Sequence, residues 1–445
     1  MKFLISIFVP LFFFISCSQD KEVELKLLVK VNSVKKVAIA TPYDYFEIPL
    51  DEFDMASTSV SIKEACFATI LCDGAGMEVF LSPDKSLSVE INSIDGKLDF
   101  KLDCDDGGIN DYLIEDLKNN KLMKYSDFYD EESKFITKLD SLLVKELDFA
   151  DTLQFSDDFK RLNAKRIKFN VLSPLGIYPQ YHSYVTKNED YLPSQGFFDF
   201  VDKYKTEDAS LFGLSSYIAF MDNMAVCAAN RYIKDWDSQE FTTNSLSYLV
   251  DSVKNVKLKE ILISKRVEAY LREKGLKESE EILDVANKFV VKPIYKNNID
   301  SLVVGWERIE KGNKSYPFKF KNTNSDIVNL DSLAGKYILI CVGATWCFPC
   351  KDEIKAFDLL VDKYKDVQFV NLSIDNDFSN WKRYINRQNH KAIQLNISSD
   401  QGFLESYMVY TIPRFILLDK RGKIIEARMP TASNVKFKDV LQGLH

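Results

Sequence analysis

Hydrophobic and polar positions change their pattern several times along the chain. After Met1-Lys2 comes an apolar run, Phe3 to Ile15 (FLISIFVPLFFFI), which turns polar at Ser18-Gln19-Asp20-Lys21. That run is too short for the ~20 apolar residues that span a bilayer, and its length suits the core of a secretory signal. Residues 22–105 carry β-branched and aromatic runs: VELKLLVKV, VSIKEACFATIL, MEVFLS and SLSVEIN. Turn signals, Asp73-Gly74-Ala75-Gly76 and Ser82-Pro83-Asp84-Lys85, separate them and predict an antiparallel β domain.

From 106 to 310 the apolar spacing becomes three/four, which predicts helices. Leu113-Ile114-Leu117, Phe135-Ile136-Leu139-Leu142-Leu143, Leu258-Ile261-Leu262 and Val267-Tyr270-Leu271 show it, with Pro174, Pro179, Pro193 and Pro293 as punctuation. Its many Tyr and Phe residues read as helix–helix core. Residues 314–445 alternate between strand and helix. YILICV (337–342) is continuously apolar, as a strand buried on both faces is. A helix follows, with Ile354, Phe357, Leu360/Val361 and Tyr364 in phase, then a strand at 367–374. Helices near Asn380–Asn389 and Phe403–Tyr407, a hairpin of 414–419 and 423–429, and a closing helix at 435–444 complete it. The expected fold is therefore multidomain α+β: a signal segment (1–16), an N-terminal antiparallel β domain (22–105), a central α-helical domain (106–310) and a C-terminal α/β domain (314–445).

Composition narrows the classes. A length of 445 residues fits about three domains. Only 28 residues are Gly or Pro (16 and 12), far from the ~25–30% of low-complexity chains. The net charge of −8 without clustered Lys and Arg excludes nucleic acid as a partner.

Eight cysteines occur: Cys17, Cys66, Cys72, Cys104, Cys227, Cys341, Cys347 and Cys350. Cys66 and Cys72 lie on one predicted strand, some ~20 Å apart at strand rise, so they cannot bridge each other. Cys66, Cys72 and Cys227 are expected as buried free thiols. His182, in PQYHSY, has no Cys or second His nearby and reads as structural.

The chemistry concentrates at Trp346-Cys347-Phe348-Pro349-Cys350. A buried strand leads straight into Cys-x-x-Cys at the start of a helix, where two intervening residues bring both sulfurs onto one turn. There the free N–H groups and the helix dipole favour the thiolate of Cys347. Pro349 is tolerated because the first turn needs no N–H from it. Cys347 can attack a foreign disulfide and Cys350 can resolve the mixed disulfide. A zinc site would need a second ligand pair, so no metal is expected.

GKYILICVGATWCFPCKDEI resembles the TlpA/ResA-like thiol–disulfide oxidoreductases of the thioredoxin superfamily. Tyr410-Thr411-Ile412-Pro413-Arg414-Phe415 matches that family's cis-proline loop, and Asp375, Trp381 and Leu418-Asp419-Lys420-Arg421-Gly422-Lys423 also fit. The β domain loosely resembles that of Bacteroidetes-type exported redox lipoproteins. The resemblance implies a thioredoxin-like C-terminal domain with catalytic Cys347 and Cys350, and no cofactor beyond that dithiol. It implies a cis Pro413 exposing the backbone of Ile412 to substrate, and an acid, Glu353, able to relay the proton of Cys350. Trp346 would shield the pair and shape the contact surface, with Phe348 and Pro349 among the active-site surroundings. Lys355 stands where the family has a helix-kinking Pro, Val342-Gly343 replaces Phe-Trp, and Cys341 replaces Asp or Asn beneath the sulfurs. Cys341 reads as a small buried hydrophobe, with a third redox thiol as the alternative.

Ile15-Ser16-Cys17 resembles a bacterial lipobox, which implies cleavage before Cys17 and its lipidation. The protein would then be exported and tethered on the periplasmic side of a bacterial membrane. Ser18 after the Cys points to the outer membrane. A plain signal peptide with an incidental Cys is the alternative. Expected partners are protein thiols and disulfides in the periplasm and an upstream membrane electron donor. The alternatives in function are a thiol peroxidase of the AhpC/TSA type and a surface partner-binding lipoprotein with an auxiliary redox domain. Against the peroxidase, Thr345 stands two residues before Cys347 rather than three, and the upstream Pro of the peroxidatic motif is missing.

Overall fold

The computed structural model describes residues 21–30, 37–72, 75–94, 97–119, 123–235, 238–397, 400 and 402–444. The signal segment, Cys17 and the Asp73-Gly74 turn lie outside them. The chain forms two compact units, residues 1–227 and 228–445.

The first unit begins with eight strands: β1 (Lys21–Val29), β2 (Val37–Ala40), β3 (Tyr45–Ile48), β4 (Met55–Ile62), β5 (Cys66–Cys72), β6 (Ala75–Leu81), β7 (Ser86–Ile94) and β8 (Lys97–Asp103). They form two four-stranded sheets, ordered β4-β1-β7-β8 and β3-β2-β5-β6. Alternation in β1 turns Val23, Leu25, Leu27 and Val29 inward, where they join Ile39, Ile70, Val79 and Val89 in one core. Two expectations need correction. The domain is not purely antiparallel, because β1 pairs with β7 in parallel. The run VSIKEACFATIL is two strands, since the charged Lys63-Glu64 forms a bend between β4 and β5.

Helices follow: α1 (Ile109–Asn119), α2 (Glu132–Asp151), α3 (Asp157–Leu172), α4 (Pro174–Thr186), α5 (Gln195–Asp202) and α6 (Ser215–Ala229), the last crossing the boundary between units. Pro174 opens α4 as anticipated, but Pro179 lies inside it rather than at an end. Its surroundings are aromatic. Tyr178 packs against Phe135 at a centroid distance of 4.2 Å and against Phe197 at 5.4 Å. His182 is buried there, its Nδ1 2.9 Å from the Phe128 carbonyl and 3.2 Å from the Tyr178 hydroxyl. This is the structural role read for it.

The second unit starts with α7 (Gln239–Ser252), α8 (Val256–Lys274), α9 (Glu280–Phe289) and α10 (Pro293–Arg308). Then come β9 (Lys319–Asn322), β10 (Ile327–Asn329), β11 (Tyr337–Gly343), α11 (Phe348–Asp358), β12 (Val367–Ser373), α12 (Phe378–Ile385) and β13 (Ile393–Asn396). The chain closes with α13 (Gly402–Ser406), β14 (Arg414–Leu418), β15 (Ile424–Met429) and α14 (Val435–Gln442). Seven strands form one sheet, β10-β9-β13-β12-β11-β14-β15, in which β11, β12 and β13 run parallel. Leu339, Cys341, Phe369, Phe415 and Leu417 face a core shared with Phe357, Phe437 and Leu441 of α11 and α14. Burying such side chains stabilises the fold by about 1.5–3 kcal/mol each. α11 stops at Asp358, earlier than the spacing through Tyr364 suggests, although Leu360 stays buried in the following turn. Among the described residues no helix is long and apolar enough to cross a membrane.

Candidate active site

β11 is buried on both faces, so it ends rigidly at Gly343 and delivers the segment 344–346 to the start of α11. Cys347 is the N-cap of that helix. Its Sγ accepts from the Cys350 backbone N–H at 3.2 Å, occupying the place that an N-cap oxygen usually takes. Pro349 sits in the first turn, where its missing N–H costs nothing. Cys347 and Cys350 are joined as a disulfide with their Cα atoms 5.3 Å apart, inside the usual range. The two residues differ slightly in exposure: Cys347 is 6% exposed and Cys350 is fully buried. When the pair is reduced, the free N–H groups and dipole of α11 favour a thiolate on Cys347.

A second loop faces this helix end. The Ile412–Pro413 peptide bond is cis, and the Ile412 carbonyl oxygen lies 4.0 Å from Cys347 Sγ. Ile354, Ile374 and Ile412 enclose Ala344, Cys347 and Cys350 in a small apolar cluster. Trp346 (66% exposed) and Phe348 (80% exposed) stand on the rim, open to a partner. Lys351 places its ammonium 5.1 Å from the Phe348 ring.

Behind the disulfide, Asp375 fixes the loop before the cysteines. Its Oδ2 accepts from the Thr345 N–H at 2.9 Å and its Oδ1 from the Thr345 hydroxyl at 2.7 Å. Its own N–H donates to Ser373 Oγ at 3.0 Å, and Asn396 donates to its carbonyl at 3.0 Å. A Cβ on Gly343 would stand 3.4 Å from Cys350 Cβ and 3.5 Å from its Sγ, so this backbone packs directly against the buried cysteine. Gly343, Cys341, Asn371 and Trp381 line a cavity of about 150 Å³ between α11 and α12.

The two remaining expected residues, Cys341 and Glu353, have partners of their own. Cys341 is free and buried, and packs in the core shared with Phe357 and Phe415. Burial first, then the nearby Glu353 and Asp358, push its thiol pKa far up, which keeps it protonated. Glu353 is turned to Ser433: its two carboxylate oxygens accept from the Ser433 hydroxyl at 2.5 Å and N–H at 3.0 Å. Among the described residues it makes no hydrogen bond to either sulfur. Ser373, bonded to Asp375, and Met408, whose carbonyl accepts from Arg414, also contribute to the surroundings of the site and carry no sequence signal of their own. Among the described residues no three His, Cys, Asp or Glu side chains are grouped to hold a metal ion.

Known proteins resemble the C-terminal region of this chain. A model of the AhpC/TSA family matches residues 312–427. The thiol–disulfide oxidoreductase ResA of Bacillus thuringiensis (strain Al Hakam) is 28% identical over 122 residues, covering 27% of this chain and 70% of that protein. ResA of Bacillus subtilis (strain 168) is 23% identical over 146 residues, 32% of this chain and 80% of that protein. A solution structure of a candidate thiol–disulfide oxidoreductase from Bacteroides vulgatus is 40% identical, covering 31% of this chain and 91% of that chain at a TM-score of 0.28. The protein is a thiol–disulfide oxidoreductase of the thioredoxin superfamily. More narrowly, its C-terminal region is TlpA/ResA-like, as the motif around Trp346 implies.

Proposed function

We propose that Cys347 and Cys350 are the redox pair of an exported enzyme that reduces or isomerises disulfides in other exported proteins. The observation that carries this reading is a pair of bonded cysteines at the N-terminus of α11, of which Cys347 alone retains some exposure. In the reduced pair, the Cys347 thiolate attacks a client disulfide. An S–S bond forms between Cys347 and the client, and the client's other sulfur leaves as a thiolate. The Cys350 thiolate then attacks Cys347 Sγ, re-forming the internal bond and releasing the second client thiolate. Two electrons pass to the client, and a dithiol donor at the membrane restores the pair. The client strand pairs with the backbone at Ile412, and its side chains rest on Trp346 and Phe348.

The N-terminal sequence supports export and lipidation at Cys17, with Ser18 favouring the outer membrane. Purified protein from Cys17 onward is expected to reduce a protein disulfide when a dithiol is supplied, and Cys347→Ser to abolish this. Full activity in Cys347→Ser would contradict the assignment. Fatty-acid incorporation in cells, lost in Cys17→Ser, tests the anchor.

The AhpC/TSA match gives one second reading, a thiol peroxidase acting through Cys347. Consumption of hydrogen peroxide faster than disulfide exchange would favour it.

A further inference from the structure

The loop that faces Cys347 is held from behind by two helices of its own unit. Met408 lies against the backbone of α10: a Cβ on Gly305 would fall 2.5 Å from Met408 Sδ. The Arg272 guanidinium of α8 lies 5.0 Å from the Tyr410 ring centre. The third contact goes deepest. Trp306 of α10 is 7% exposed and Arg414 is 3% exposed, with the Arg414 guanidinium 5.5 Å from the Trp306 ring. Arg414 Nη2 also donates to the Met408 carbonyl at 3.3 Å, tying both ends of the loop together.

Arg414 is the residue directly after Pro413. Strand alternation turns its side chain away from the face that carries Phe415, and so away from α11. A buried cation on that face needs a partner, and the face of an indole is the best aromatic one available. The chain of contacts therefore runs Trp306, Arg414, Pro413, Ile412, Cys347.

We propose that Trp306 is a positioning residue: through Arg414 it sets the Ile412–Pro413 segment at the height where an extended client can pair with it beside Cys347. The proposal rests on the redox assignment above and gives α10, which lies outside the matched family region, a share in client recognition. Small disulfides that make no backbone pairing need this segment less than peptides do.

The test uses the full chain and two substrates, an extended peptide disulfide and hydroxyethyl disulfide. Trp306→Leu is expected to lower the ratio of kcat/KM for the peptide to kcat/KM for the small disulfide about tenfold, chiefly through the peptide KM. Trp306→Phe keeps an aromatic face and holds the ratio within about threefold of the unaltered protein. Arg414→Met keeps the buried stem without the charge and reproduces the loss, which carries the test if Trp306→Leu does not fold. A uniform loss on both substrates, or an unchanged ratio, overturns the proposal. If the unaltered protein turns over neither disulfide, the redox assignment fails and the inference falls with it.

Discussion

Asp375 holds Thr345 with both carboxylate oxygens, one on the backbone N–H at 2.9 Å and one on the hydroxyl at 2.7 Å. The segment that follows β12 thereby fixes the loop that leads into Cys347. Hydrogen bonds to charged groups contribute about 1.5–3 kcal/mol each. Asp375→Ala is expected to cost about 2–4 kcal/mol and to lower the calorimetric Tm by roughly 5–15 °C. Slower disulfide exchange should accompany it, because the N-cap sulfur loses its fixed approach. An unchanged Tm would show that the loop is held by other means.

Free thiols should report their environments through pH. Burial, then Asp106, pushes the Cys104 thiol up to about 11. Burial, then Glu64, pushes the Cys66 thiol up to about 12. The thiolate is the reactive form, so a raised pKa means less of it at neutral pH. In the oxidised protein, iodoacetamide should label half-buried Cys104 first, at a rate rising about tenfold per pH unit from 8 to 10. Cys66, Cys72, Cys227 and Cys341 should label only after denaturation. Rapid native labelling of Cys341, read by peptide mass, would instead make it a third redox thiol.

Glu353 offers a sharp choice. Its carboxylate is engaged by Ser433, so Glu353→Gln is expected to lower stability by about 1 kcal/mol and leave the pH profile of exchange in place. A shifted profile would restore the proton-relay role that the family resemblance implies.

The site was more legible than the scaffold. A continuous apolar strand, Trp-Cys-x-Pro-Cys and a distant Ile-Pro pair are local signals, and they lie together at Cys347. The family resemblance implies a proton relay at Glu353, and no local signal announces its hydrogen bonds to Ser433, eighty residues away. The short strands β9 (KFKN), β10 (IVN) and β13 (IQLN) have too little apolar pattern to announce themselves, and exist because neighbouring strands pair with them. The parallel β1–β7 pair is likewise a long-range choice that no turn signal encodes. Trp306 and Arg414 are far apart in sequence, and nothing in either segment points to the other.

Trapping tests the central claim most directly. Cys350→Ser, reduced and mixed with a client disulfide, should accumulate a covalent adduct at Cys347. The adduct should be visible by intact mass, mapped by digestion and released by excess dithiol. No adduct, or one on a different cysteine, while the unaltered protein exchanges disulfides normally, would contradict the account.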